Sequence, residues 1–195
     1  MTHQAKDFSY LKGKLKSLSE KQLEEHFKLY KGYVARINLI ESELAKADKS
    51  HTNYSWGNWS ELKRREAVAY NGTYLHQYYF ENLGNDGMTP SNEFKAAVDE
   101  AFGSWENFLA DIKSTALSTI GWVLVCRRKA DGKLHSYLLT EHHGGLPVDQ
   151  DIVLVIDSYE HAFFLDYGVD RGGYIQALFE DINWEAVNKR FAALK

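Results

Sequence analysis

Residues 155–167 read VIDSYEHAFFLDY, the end of a strand-like apolar run that passes into a helical one. The run carries Asp157 and, four positions on, His161. An unpaired charge among valine, isoleucine and phenylalanine is costly to bury. Two readings fit the pair. Asp157 N-caps the helix that follows, or Asp157 and His161 converge on one ion across the loop–helix junction.

Working outward, DIVLVID (151–157) is the last of three short strand-like runs, after GWVLVCRR (121–128) and KLHSYLLTE (133–141). ADGK (130–133) is a hairpin turn between the first two. Downstream, YEHAFFLDYG, GGYIQALFEDI and NWEAVNKRFAAL return to helical periodicity. Toward the N-terminus, residues 18–47 open with Ser19 and a nearby glutamate, a helix start. Leu23, Phe27, Tyr30, Val34, Ile37 and Leu44 then recur at helical spacing. After the polar stretch 48–60, residues 60–83 form a second long helix, so the two predict an antiparallel hairpin. GNDGMTPSN (84–92) is the best linker, and residues 91–120 read as two more helices broken at Gly103. The expected fold class is α+β: an N-terminal antiparallel helical hairpin packed on a C-terminal domain of helices around a small three-stranded antiparallel sheet. The expected division is 1–88 and 89–195.

The 195 residues are 44% hydrophobic and 14% aromatic, enough for a real core, and the formal net charge of −4 argues against a nucleic-acid-binding surface. One cysteine, Cys126, excludes an internal disulfide and any multi-cysteine metal site. No run approaches the roughly 18 apolar residues of a membrane span, and MTHQAKDFSY lacks a signal-peptide core. The expectation is a cytoplasmic protein with no membrane partner.

Among eight histidines, His3, His51 and His135 sit in polar or loop contexts and read as surface. His26, His76 and His161 lie inside amphipathic, aromatic-rich segments. His26 shares a helix face with Leu23, Tyr30 and Tyr33, and His76 has Tyr79 and Phe80 at i+3 and i+4. Each taken singly is more often a hydrogen-bonded core residue than a ligand. Three of them with Asp157 form a set suited to a metal bound by imidazole and carboxylate.

DSYEHAFFLDYGVDRGGYIQALFEDINW (157–184) resembles the signature D-x-W-E-H-A-Y-Y-L-D-Y, followed by R-x-x-Y and I-N-W, of the iron/manganese superoxide dismutases. FGSWENF (102–108), GW (121–122), LHQYYFENL (75–83) and HFKLYKGYVARIN (26–38) match further landmarks of that family, over roughly 18–191. The resemblance implies metal ligands His26, His76, Asp157 and His161. It places Tyr33 as the tyrosine at the substrate channel, Tyr30 where the family has a second histidine, and Trp122 in the site wall. Glu160 would reach the partner subunit's metal-binding histidine, with Arg171 and Tyr174 as the R-x-x-Y pair. It further implies one iron or manganese ion per subunit, superoxide as substrate, and a homodimer or homotetramer.

This chain departs from the family in several places. One residue fewer separates His26 from Tyr33, which predicts a first helix without a π-bulge. Tyr159 stands where Trp is common. The glutamine that reaches the metal-bound solvent is missing from both its usual places, where Gly72 and TEHHGG stand. His142 or His143 is expected in that role, only one of them facing inward because neighbours on a strand face opposite sides. This tilts the metal toward iron, with metal flexibility. Three imidazoles and one carboxylate leave a trivalent ion at about +2, or about +1 with hydroxide, which attracts the superoxide anion. Two rivals stand beside this reading: a catalytically weak metal-binding relative with a structural or storage role, and a zinc hydrolase, since three histidines and an aspartate also hold zinc.

Overall fold

A computed structural model describes residues 2–85 and 87–194. Asp86, in the expected linker, and the terminal positions 1 and 195 of the expected division lie outside the described residues.

The hairpin forms as its periodicity predicts. Helix α1 (Glu20–Leu44) starts at Ser19, whose hydroxyl accepts from the Gln22 N–H at 3.1 Å, and Glu20 adds favourable charge in the first turn. It is α-helical through all 25 residues. Its buried stripe runs Leu23, His26, Phe27, Tyr30, Val34, Ile37 and Ile40. Helix α2 (Asn58–Glu81) returns antiparallel, so that Phe80 meets His26 at one end while Ala69 and Leu62 meet Ile37 and Ile40 toward the other.

Helices α3 (Asn92–Phe102) and α4 (Trp105–Leu117) are separated at Gly103, whose φ of 84° is left-handed and suits only glycine at low cost. Strands β1 (Trp122–Arg128), β2 (Leu134–Leu139) and β3 (Gln150–Asp157) form an antiparallel sheet in the order β2-β1-β3. Trp122 opens β1 and pairs with Leu139 on one side and Asp157 on the other. A bulge at Val125/Cys126 interrupts the β1–β3 register. Helices α5 (Phe164–Tyr167), α6 (Arg171–Leu178) and α7 (Trp184–Ala193) complete the chain.

One continuous core joins both halves, from Leu23, Tyr79 and Phe80 of the hairpin to Val123, Val155, Tyr174 and Ile182. Polar bonds stitch the same seam. The Asn82 side-chain amide donates to the Val155 carbonyl at 2.7 Å, and the Asn183 N–H donates to the Asn82 carbonyl at 2.7 Å. Arg190 of α7 is half-buried against Glu81, Asn82 and the ring of Tyr78.

Three expectations need correction. The helix expected over 159–168 is two pieces, a 3-10 turn at Glu160–Ala162 and α5, because Phe163 leaves helical geometry (φ −145°) to stack its ring on Tyr174 at 5.0 Å. Asp157 therefore caps no helix. Its Oδ1 accepts from the Tyr159 N–H at 2.9 Å and turns the chain at the strand's end. Strand β2 stops at Leu139, so residues 140–149 are loop and the alternation argument does not apply to His142 and His143. His3 is half-buried and hydrogen-bonded rather than free on the surface. The Asn38 side chain pairs with both its N–H and its carbonyl, and its ring bridges the Tyr74 hydroxyl (2.8 Å) and Glu41 (3.0 Å). His3 is thereby strapped across the hairpin.

Candidate metal centre

Four side chains from four places in the sequence meet at the junction of hairpin and sheet. His26 comes from the buried face of α1 and His76 from that of α2, Asp157 ends β3, and His161 lies in the 3-10 turn. One ligand-type atom from each lies within 4.8 Å of the other three. Asp157 Oδ2 is 3.2 Å from His26 Nε2, 3.6 Å from His76 Nε2 and 3.1 Å from His161 Nε2. Donors bonded at about 2.1 Å to one ion sit roughly 3–4 Å apart, so the spacing suits a shared cation.

The chemistry of these atoms points the same way. Both ring nitrogens of His26 and Nε2 of His76 are buried without a hydrogen-bond partner. Such atoms are expensive unless something binds them. The His76 Nδ1–H donates to the Gly72 carbonyl at 2.5 Å, which leaves the Nε2 lone pair aimed at the cluster. Burial pulls His26 down, and His76 well down, from the ordinary histidine range, so both rings are neutral at pH 7, the form in which an imidazole can bind a metal. Burial alone would raise Asp157, but the nearby His161 and His26 outweigh it and hold the carboxyl below its ordinary value. The residues present fit a mononuclear ion of the iron, manganese or zinc type.

Around them lies a wall of aromatics and a short relay. Trp122, fully buried, sits edge-on to His76 at 4.9 Å. Its Nε1–H donates to His142 Nδ1 at 2.9 Å, so the neutral His142 ring carries its proton on Nε2 and donates it to the Tyr33 hydroxyl at 2.6 Å. Burial lowers His142 to about 4, which keeps it in that neutral form at pH 7. Tyr33, having accepted this hydrogen bond, keeps its own O–H free for another partner, and its ring stacks on His76 at 5.3 Å. Tyr159 stacks on His161 at 4.9 Å and faces His142 at 5.0 Å. Tyr174 donates to the Asp157 backbone carbonyl at 2.9 Å.

The other expected residues take partners outside the cluster or face solvent, although the Tyr30 ring lies 6.4 Å from that of His76. His143 is exposed, 3.8 Å from Glu141. Tyr30 is buried, and its hydroxyl is taken by the Lys6 N–H at 3.0 Å. Arg171 donates to the Thr119 carbonyl at 2.9 Å. Glu160 is exposed beside His161, on an open face with Phe164 and Leu165.

The sequence reading missed Gln22 and Asn71. The Gln22 amide donates to the His161 carbonyl at 2.6 Å and its Oε1 accepts from the Leu165 N–H at 3.1 Å, bracing the turn that carries His161. Its signal was a glutamine four residues before His26 on the core-facing stripe. Asn71 donates to the His142 carbonyl at 2.8 Å, a contact between distant segments that no local pattern announces.

The depressed histidines set a pH dependence. An unfolded chain protonates His26, His76 and His142 near pH 6.5, whereas the folded metal-free protein resists doing so, His142 until about pH 4. Unfolding then takes up protons, and stability is lost as pH falls below about 6.5. The urea midpoint of metal-free protein is expected to be lower at pH 5 than at pH 7. Equal midpoints would contradict this assignment.

Comparison with known proteins agrees with this geometry. Residues 90–190 match the family model described as iron/manganese superoxide dismutases, C-terminal domain. The chain is 36% identical over 187 residues to superoxide dismutase [Fe] of Aquifex aeolicus (strain VF5), covering 91% of this chain and 85% of that protein. It is 34% identical to superoxide dismutase [Fe] of Cupriavidus metallidurans (strain ATCC 43123 / DSM 2839 / NBRC 102507 / CH34), over 99% and 98%. It is 29% identical to superoxide dismutase [Mn] of Mycolicibacterium smegmatis (strain ATCC 700084 / mc(2)155), over 96% and 91%. A family match over more than half the chain, with relatives this similar along nearly its whole length, establishes that the chain belongs to the iron/manganese superoxide dismutases.

Proposed function

We propose that this protein converts two superoxide anions and two protons into dioxygen and hydrogen peroxide, using one iron or manganese ion held by His26, His76, Asp157 and His161. The observation that carries the proposal is the convergence of three histidines and one carboxylate, with unpaired buried Nε2 atoms, beneath the Trp122–His142–Tyr33 chain. When bound, the ion supplies one-electron chemistry, cycling between +3 and +2. Three neutral imidazoles and a single carboxylate leave such a site positive, which draws in an anion. His142 fixes the Tyr33 oxygen, and the free Tyr33 proton is the one directed toward the reacting centre.

Relatives whose names carry iron and relatives whose names carry manganese are both similar to this chain. The imidazole of His142 inclines the reading to iron, with use of both metals. The open face at Glu160, His161, Phe164 and Leu165 supports a homodimer, or a tetramer built from it, with Glu160 reaching the partner. The ligands divide between hairpin and C-terminal part, which supports a boundary near residue 88 with the metal between the two. Cytoplasmic residence is proposed with these; among the described residues no helix is long and apolar enough to cross a membrane.

The test is activity beside metal analysis. Protein grown with iron, manganese or both is expected to hold about one ion per chain and to remove superoxide, and the metal-free protein to be inactive. Treatment with peroxide separates the iron-dependent from the manganese-dependent fraction. A fully loaded protein without activity would refute the dismutase reading.

A further inference from the structure

Gly72 stands one helical turn before His76, and its α-carbon faces the ring of Tyr33. A Cβ there would lie 2.6 Å from Tyr33 Cδ1 and 2.9 Å from two further ring carbons, far inside contact distance. Those atoms belong to a ring that cannot move freely. One face stacks on His76, and its hydroxyl is held by His142 Nε2 at 2.6 Å. His142 cannot follow a displaced Tyr33 either. Its Nδ1 is tied to Trp122 and its carbonyl to Asn71, the neighbour of Gly72 on α2.

We propose that Gly72 is a positioning residue: its bare α-carbon is the floor on which the Tyr33 ring lies, and that floor keeps the Tyr33 hydroxyl on His142. The proposal deepens the dismutase reading, since it concerns the tyrosine that faces the reacting centre. Tyr33 occupies the space that any side chain at 72 would need.

The contact makes a signed prediction. In an ordinary helix interior alanine is a better helix former than glycine, so Gly72→Ala by itself favours α2. Where Tyr33 is present the added methyl collides with its ring. On metal-free protein we expect Gly72→Ala to lower Tm in the wild-type background and to raise it in a Tyr33→Ala background, where the space is empty. Gly32→Ala, on an exposed part of α1 with nothing within 4 Å of its Cβ, should raise Tm or leave it unchanged in both. By NMR, the ring-to-ring contact between Tyr33 and His142 should disappear in Gly72→Ala and persist in Gly32→Ala. With metal restored to wild-type content, kcat/KM of Gly72→Ala should fall roughly tenfold or more, because small misplacements of a reacting group are costly.

A Gly72→Ala effect on Tm of the same sign in both backgrounds, or a Tyr33–His142 contact that survives it, would overturn the proposal. Neither readout depends on turnover. If the wild-type protein proved inactive the dismutase reading would fall, while the reversal of sign would still decide the role of Gly72.

Discussion

Asp157→Asn protein is expected to fold, to purify with little iron or manganese, and to lose superoxide removal by more than about a hundredfold. Asp157 supplies the only carboxylate of the cluster, and its Oδ2 is the atom to which all three histidine Nε2 atoms are referred, at 3.1–3.6 Å. Asparagine has nearly the same shape, so what is removed is the negative charge and one strong donor. The bonds that hold the local turn remain. Asparagine's oxygen can still accept from the Tyr159 N–H, and Tyr174 donates to the backbone carbonyl, which the substitution does not touch. Metal analysis, circular dichroism and a superoxide assay on one preparation check the expectation. Full metal content in the variant would show that Asp157 is not a ligand.

Phe80→Ala should be the most damaging single change to stability. Phe80 is fully buried and meets Phe8, Phe27, Tyr30, His26 and His76 with ring centroids 4.8–6.2 Å apart. Truncating such a ring removes its transfer energy and leaves a cavity, at a cost of about 3–5 kcal/mol. For a chain of this size that corresponds to a fall in Tm of roughly 6–20 °C. Because the cavity opens directly behind His26 and His76, metal retention should fall as well. Val169→Ala, at a position 92% exposed, should change stability by less than about 0.5 kcal/mol. Thermal melts of metal-loaded and metal-free protein check both. A Phe80→Ala melt close to wild type would mean that the hairpin repacks around the void.

Much of the molecule was legible in the sequence because its signals are local. Ser19 followed by a stripe from Leu23 to Ile37 marks α1, and Gly103 marks the break between α3 and α4. Short strand-like runs on either side of ADGK mark the β1–β2 hairpin. The polar residues of VIDSYEHAFFLDY were legible for a related reason: a carboxylate and an imidazole in an apolar run need a compensating partner. The same reading failed where long-range packing competes with local preference. YEHAFFLDYG has a helix's composition, but Phe163 leaves helical geometry and stacks on Tyr174, so the run breaks in two. His3 follows no periodic pattern, and its burial depends on Asn38, Glu41 and Tyr74, which are distant in the chain.

The sequence by itself therefore determined most of the elements, the α+β class and the short set of residues able to bind a metal, since periodicity, turn chemistry and the cost of buried charge act on neighbours. Only the tertiary structure decided which atoms meet. It chose His142 over His143 by ending β2 at Leu139 and letting Trp122 and Asn71 hold the loop. It spent the Tyr30 hydroxyl on Lys6, gave Gln22 the turn beneath His161, and laid the Tyr33 ring on Gly72. Each of these is a contact between segments far apart in sequence, where packing and hydrogen-bond geometry across the fold carry the information that local spacing lacks.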